Sequence, residues 1–311
     1  MKHACLGLCA AMVLTSAAFA GEDWYPSKYG AQDTNGAMNN LSPEGTVKAA
    51  KLVKTGKVYA LGVVTGPDTP SWPGRSFSAT VLQTNDGGGG PIGAGKATGH
   101  DDVLMTYVGI GTQIDGFGHL GIDHRYYNGV PAREFYRSDG VVKFGTENIL
   151  PTATRGVLLD MTKHYKQSPV KPGTAFNKAE IEAAAKAAGV TIGKGDVVLF
   201  HTGWMATAKT DPAKFITEQP GLGEEGAKYL AGLGVVMIGA DTAALEAIPF
   251  EKADMPFIVH QTLLAKNGIH VLENIDTAAL AADAATEFMF VLGQPRFKGT
   301  VQMVVNPIAI R

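Results

Sequence analysis

Residues 111–124 read GTQIDGFGHLGIDH, placing an amide, two carboxylates and two imidazoles among glycines and apolar residues. Carboxylate and imidazole are the ligands and proton carriers of hydrolytic metal sites, so their types and spacing set the first question. Gln113 and Asp115 are two apart, a spacing that puts both side chains on one face of an extended strand. Gly116 and Gly118 let the chain bend, so that His119 can turn back toward that face.

The elements that must position these groups follow from patterning. Ser42 is the expected N-cap of a helix running from about Gly45 to Val53. KVYALGVV, SATVLQT and VLMTYVGIGTQID are expected strands, and the third delivers the motif. From Gly156 onward strands alternate with helices: GVLLDM, GDVVLFHTGW, VVMIGAD and IHVLENI read as strands, KAEIEAAAKAAG and GEEGAKYLAGLG as helices. DMPFIVHQTLLAKNG reads as a helix capped by Asp254 and stopped at Asn267-Gly268. EFMFVLGQPRFKG and VQMVVNPIAI supply two final strands, expected to be antiparallel. With no repeat and no linker, the pattern is one α/β domain with a mixed β-sheet flanked by helices.

Polar residues recur where the buried strands end: His201 and Thr202, Asp241, and Glu273. Ligands of open α/β sheets bind at carboxyl ends of strands, so these positions are expected to neighbour one pocket. Of the eight histidines, His3 falls in the leader, His164 lies in a polar surface stretch, and His270 is out of phase with Glu273 on its strand. His100 adjoins two aspartates in an expected loop, open to a surface or a site role, which leaves His119, His124, His201 and His260 as site candidates.

Composition excludes several classes. The 311 residues are 45% hydrophobic and 18% charged, ordinary for a globular chain. A net charge of −2 without a basic run gives no footprint for nucleic acid or anionic lipid, so a small-molecule partner is expected. The first twenty residues combine Lys2, an apolar stretch and a terminal Ala-Phe-Ala, the pattern of a secretory signal cleaved after Ala20. The expectation is therefore a periplasmic or secreted protein comprising residues 21–311, without a membrane span after cleavage. Cys5 and Cys9 both lie in the leader, so any metal must be held by His, Asp, Glu or Gln. GPIGAGKAT, residues 90–98, is close to a phosphate-binding loop but has Ala97 at the magnesium-binding hydroxyl position and lacks the strand and helix context; it reads as a loop, not a nucleotide site.

The motif GTQIDGFGH resembles the signature of the metal-dependent cyclase superfamily, His-x-Gly-Thr-His-x-Asp-x-Pro-x-His, found in bacterial kynurenine formamidases and isatin hydrolases. GDVVLFHTGW, VVMIGADTAALE and VHQTLLAKNGIHVLENI resemble further stretches of that family in the same order, so the likeness spans nearly the whole mature chain. It implies the swivelling β/β/α type of fold and assembly as a homodimer or homotetramer. It also implies Asp115, His260 and Glu273 as metal ligands and His119 as the catalytic base. Gly109 and Gln113 stand where the family has its first two histidines, which implies one metal ion rather than two, with Gln113 as a weak oxygen ligand. Such a donor set suits Mn²⁺ as well as Zn²⁺. The implied activity is hydrolysis of an amide, formamide or lactam without an organic cofactor, arylformamidase-like. A lactonase or cyclic-imide hydrolase, or a non-catalytic solute- or metal-binding protein, are the alternatives. His201, Thr202, Trp204, Phe117, His124 and Asp241 are then expected around the substrate or behind the ligands, and Trp24, Tyr25 and Trp72 are further candidates for an aromatic wall.

Overall fold

The structure, a computed structural model, describes residues 24–83 and 90–311; the expected leader, with Cys5 and Cys9, lies outside the described residues. A nine-stranded sheet organises the chain. In chain order its strands and those of an accessory ribbon are β1 (Val58–Ala60), β2 (Phe77–Gln83), β3 (His100–Thr106), β4 (Gln113–Asp115), β5 (Thr152–Asp160), β6 (Val197–His201), β7 (Met237–Ala240), β8 (His270–Glu273), β9 (Glu287–Leu292), β10 (Gln302–Val304) and β11 (Ile308–Ile310). The sheet order is β1-β11-β9-β5-β6-β7-β8-β4-β10, and β2 pairs with β3 in the separate ribbon. The central strands β5 to β8 run parallel, while the flanking strands on both sides pair antiparallel, the mixed sheet expected from the pattern.

Parallel strands need crossovers, and helices supply them. The helix α1 (Pro43–Ala50) has the expected Ser42 cap, whose side chain accepts from the Gly45 N–H, but stops at Ala50, short of Val53. The helix α2 (Lys178–Ala188) joins β5 to β6, with Asn177 and Glu180 forming a capping box and Gly189 closing it at φ +70°. The helix α3 (Glu224–Leu233) joins β6 to β7. Because the parallel strands are buried on both faces, alternate residues enter two cores. Val157, Leu159, Val198, Phe200 and Ile238 pack with α2 and α3, while Leu158, Val197, Leu199, Met237 and Leu272 pack with the antiparallel strands.

Four expectations about elements change. The third expected strand is two: β3 ends at Thr106, and a turn with Gly111 at φ +71° separates it from β4. β3 itself starts at His100, so that residue is on a strand, not a loop. The expected helix at Asp254 begins only at Ile258, because Phe257 sits at φ +58° before it, and from Gln261 to Asn267 it is a π-helix ending at Gly268 as expected. The last expected strand divides into β10 and β11 around Asn306-Pro307, where a proline has no N–H to continue the ladder.

Candidate metal site and its cavity

The register of three strands builds the site. Across β8 and β4, Glu273 faces Gln113, and across β4 and β10, Gln302 faces Asp115. Side chains directly opposite on one face of a sheet meet. Gln113 Nε2 accordingly donates to Glu273 Oε2 at 2.7 Å, and Gln302 Nε2 to Asp115 Oδ1 at 2.8 Å. The spacing argument for Gln113 and Asp115 holds as geometry, since the two side chains lie on one face with Nε2 3.5 Å from Oδ1.

His260 reaches this face from the start of the π-helix. Its Nδ1 is 2.6 Å from Glu246 Oε1, and its Nε2 is 3.2 Å from Glu273 Oε1 and 3.5 Å from Asp115 Oδ2. Asp115, His260 and Glu273 each present a ligand atom within 4.8 Å of one another, and all three are buried. Two buried acceptors there, Asp115 Oδ2 and Gln113 Oε1, have no hydrogen-bond partner. Buried oxygens without partners are costly, and a cation held with His260 and Glu273 would satisfy Asp115 Oδ2. The chemistry of the donor set agrees: two carboxylates and an imidazole whose far nitrogen is held by a third carboxylate form the carboxylate–histidine arrangement common around divalent ions. The residues fit a metal ion.

The electrostatics point the same way. Burial and the neighbouring Asp115 charge push the Glu273 carboxyl up to about 7. Burial opposes ionisation of Asp115 too, but His119, His260 and the Gln302 hydrogen bond together hold it below its usual value. Burial also works against the His260 cation, yet contacts with Asp115, Glu246 and Glu273 outweigh it and hold that imidazole well above its usual value. Three carboxylates therefore converge on one imidazole, a strongly cation-seeking centre. His119 differs: burial, together with His260 and Arg75, lowers its pKa against the pull of Asp115, so it stays neutral and able to accept a proton near pH 7. Its Nε2 lies 4.0 Å from Asp115 Oδ2, and its side chain is 24% exposed, the one of the two imidazoles that reaches solvent.

These groups open into a cavity of about 210 Å³. His119, His260, Glu273 and Gln302 form its polar side. Trp72 and Phe257, edge to face at 6.4 Å, form an aromatic side, and Arg75 lies between. Trp72 thus stands where an aromatic wall was expected.

Other candidates are elsewhere. Phe117 is 2% exposed and packs in the core against Tyr127 and Phe144, stacked on His270 at 4.3 Å, and it does not line the cavity at the metal site. The Phe117 ring instead covers the face of β8 opposite Glu273, as the out-of-phase reading of His270 requires. Trp204 is also core, its indole donating to the Phe215 carbonyl and its ring packed with Phe215 and Ile216. His124 is exposed in a turn at φ +59°, and its carbonyl receives the Ala132 N–H. The expectation of one pocket for all strand ends is corrected too. Asp241 accepts from the Thr202 N–H, the Thr202 hydroxyl and the Gly203 N–H, and His201 Nδ1 lies 2.8 Å from Thr277 Oγ1. None of His201, Thr202 and Asp241 lines the cavity; they tie the ends of β6 and β7 to each other. Trp24 and Tyr25 meet edge to face, with Arg125 over the Tyr25 ring, and neither lines the cavity.

Four residues of the site were not found from sequence, Phe257 of the aromatic side among them. Gln302 is an ordinary polar residue on a late strand, and Arg75 follows a proline-rich loop; neither carries a local signal. Glu246 had one, an acid inside the apolar run TAALEAIPF, and it is 2% exposed.

A sequence model of the family described as "Putative cyclase" matches residues 58–247. No curated protein matches the chain. Among solved structures, one described as a novel cyclase is 27% identical, with a TM-score of 0.83 over 91% of this chain and 96% of its own. Isatin hydrolase A from Ralstonia solanacearum is 16% identical, TM-score 0.64, over 87% and 98%. A potential metal-dependent hydrolase with cyclase activity is 19% identical, TM-score 0.52, over 81% and 98%. With the family match covering well over half of the chain and these structures sharing its fold, the protein belongs to the cyclase family.

Proposed function

We propose that the protein is a metal-dependent hydrolase that cleaves a carbon–nitrogen bond of a small amide, formamide or lactam. The observation that carries this reading is the convergence of Asp115, His260 and Glu273 beside a neutral, partly exposed His119 at an aromatic-walled cavity. Asp115, His260 and Glu273 would hold the ion, Mn²⁺ or Zn²⁺, with Gln113 Oε1 a further oxygen donor. A divalent ion supplies Lewis acidity, making water more acidic and a carbonyl carbon more electrophilic.

The chain's own groups do the rest. Glu246 fixes the imidazole of His260 through Nδ1, so that Nε2 faces the carboxylates, and Gln302 fixes Asp115 through Oδ1. Trp72 and Phe257 offer an apolar aromatic corner to the organic part of the substrate. His119 takes one proton from the attacking water while its hydroxyl adds to the carbonyl carbon, and returns that proton to nitrogen as the C–N bond breaks. The products are an acid and an amine. Members of this family named isatin hydrolase act on a cyclic compound, which supports including lactams in the range. We also propose export, on the strength of the first twenty residues, and assembly as a dimer or tetramer.

The test is metal content by plasma mass spectrometry on wild type and Glu273→Ala, with formanilide and lactam hydrolysis assayed on the same preparations. The expected result is about one Mn or Zn per wild-type chain, lost together with activity in the variant. Wild-type protein that takes up neither ion and hydrolyses nothing when they are added would leave a non-catalytic binding protein as the reading.

A further inference from the structure

Arg75 sits at the cavity but neither holds the ligands nor moves protons. Among the described residues its Nη1 donates to the Gly109 carbonyl, its one hydrogen bond there, and no carboxylate lies within ion-pair distance of it. A guanidinium has five N–H donors, so most of this one's capacity is left for something in the cavity. Its position is set by the fold. Arg75 enters the ribbon just before β2 and Gly109 leaves it just after β3, and the Tyr107 N–H donates to the Ser76 carbonyl at 3.1 Å to close the base.

Glycine at 109 is what admits the guanidinium. A Cβ there would lie 2.6 Å from Arg75 Nη1 and 2.7 Å from Gln302 Oε1, too close for either to stay. The result is a permanent cation beside the metal-site face, with the rings of Trp72 and Phe257 lining the same cavity. Its charge is felt at Glu273, whose carboxyl it lowers, but among the described residues no carboxylate oxygen forms an ion pair with it, so its remaining donors are not taken up by a fixed partner. A planar fork of donors next to an aromatic wall is the complement of a ring that carries a carboxylate.

We propose that Arg75 is the specificity-determining residue of the site, anchoring a carboxylate on the compound that is cleaved. The substrate class is thereby narrowed to planar amides or lactams that bear an acid group; this rests on the hydrolase reading above.

The experiment is calorimetric titration of the full-length mature protein with benzoate and with its neutral isostere benzamide, metal-loaded and after chelator treatment. Wild type is expected to bind benzoate about tenfold or more tightly than benzamide, in both metal states. Arg75→Gln should abolish that preference and leave benzamide binding unchanged. Gly109→Ala, which displaces the guanidinium without removing it, should weaken benzoate as well. Equal binding of the two probes by wild type overturns the proposal, and so does a benzoate preference that disappears with the metal or survives in both variants. Equal binding by wild type overturns the proposal without any variant, and Gly109→Ala supplies the second variant should Arg75→Gln fail to fold. Binding needs no turnover, so a hydrolytically active protein without the preference refutes Arg75 alone. An inactive, metal-free protein that keeps the preference refutes the hydrolase reading alone.

Discussion

Glu246 lies behind the metal-site face, and its replacement tests whether that face is a metal site at all. Its Oε1 is 2.6 Å from His260 Nδ1 and accepts the His260 backbone N–H at 3.2 Å, and both side chains are 3% exposed. Glu246→Gln keeps an acceptor of the same shape and removes the charge. A charge-assisted hydrogen bond contributes about 1.5–3 kcal/mol against about 0.5–1.5 for a neutral one, so the loss is on the order of 1.4 kcal/mol, or about tenfold in affinity. Glu246→Ala removes the acceptor of three buried N–H groups, those of Val259 and His260 and the His260 ring, and costs about 2–3 kcal/mol, which approaches 100-fold. Both values fall within the 10–100-fold typical when the group orienting a ligand histidine is removed. The assay is competition for Mn²⁺ and Zn²⁺ against a chromophoric chelator at fixed pH, with circular dichroism to verify the fold. Wild-type metal affinity in a folded Glu246→Ala protein would refute the reasoning, because His260 would then not be a ligand that Glu246 orients.

Three further outcomes are expected. His119→Gln should lower turnover by about 100-fold or more while metal content stays at the wild-type level; loss of the metal with the activity would show His119 to be a ligand instead. Gly156→Ala places a Cβ 2.1 Å from Phe288 Cε2, directly across the β5–β9 pair, and should cost about 1–3 kcal/mol by overpacking; an unchanged melting temperature would contradict the close approach. Burial raises the Glu224 pKa, but Lys228 at 2.6 Å and Lys252 at 2.5 Å together hold it below 4.5. A depressed carboxylate stabilises the fold above its unfolded pKa and loses that contribution as pH falls through the folded one. With both lysines half exposed, Glu224→Gln should cost only about 0.5–1 kcal/mol at pH 7, and the difference from wild type should shrink as pH is lowered below 4.5 in urea titrations. A difference that grows toward acid would reverse the sign and the assignment.

Local pattern was enough for whatever a short stretch decides alone. Apolar runs of strand length between amphipathic helices gave the α/β class with a mixed sheet; burial on both faces leaves no polar alternation in the strands that form its parallel centre. Caps at Ser42, Gly189 and Gly268 were legible because capping is local hydrogen bonding and local φ. The same holds for Gln113 and Asp115, whose common face follows from the period of a strand. Reading failed where a single backbone angle overrode the pattern: Gly111 cut one expected strand in two, and Phe257 in the left-handed region delayed a helix past its apparent cap at Asp254.

The partners of the site were a matter of tertiary structure. Strand order brought Gln302 beside Asp115 across 187 residues, and register then paired them; neither order nor register is encoded in the spacing of either segment. The ends of β6, β7 and β8 lie side by side and look equivalent in the sequence, yet His201, Thr202 and Asp241 are engaged by one another and by Thr277 and do not line the cavity with Glu273. Packing sent Phe117 into the core and left Trp72 at the cavity, since an aromatic residue's type does not say which surface it will meet. Arg75 and Gly109 are the clearest case. Gly109 stood out only as a missing histidine and Arg75 not at all, and only the folded ribbon places a cation in the space that a side chain at 109 would fill.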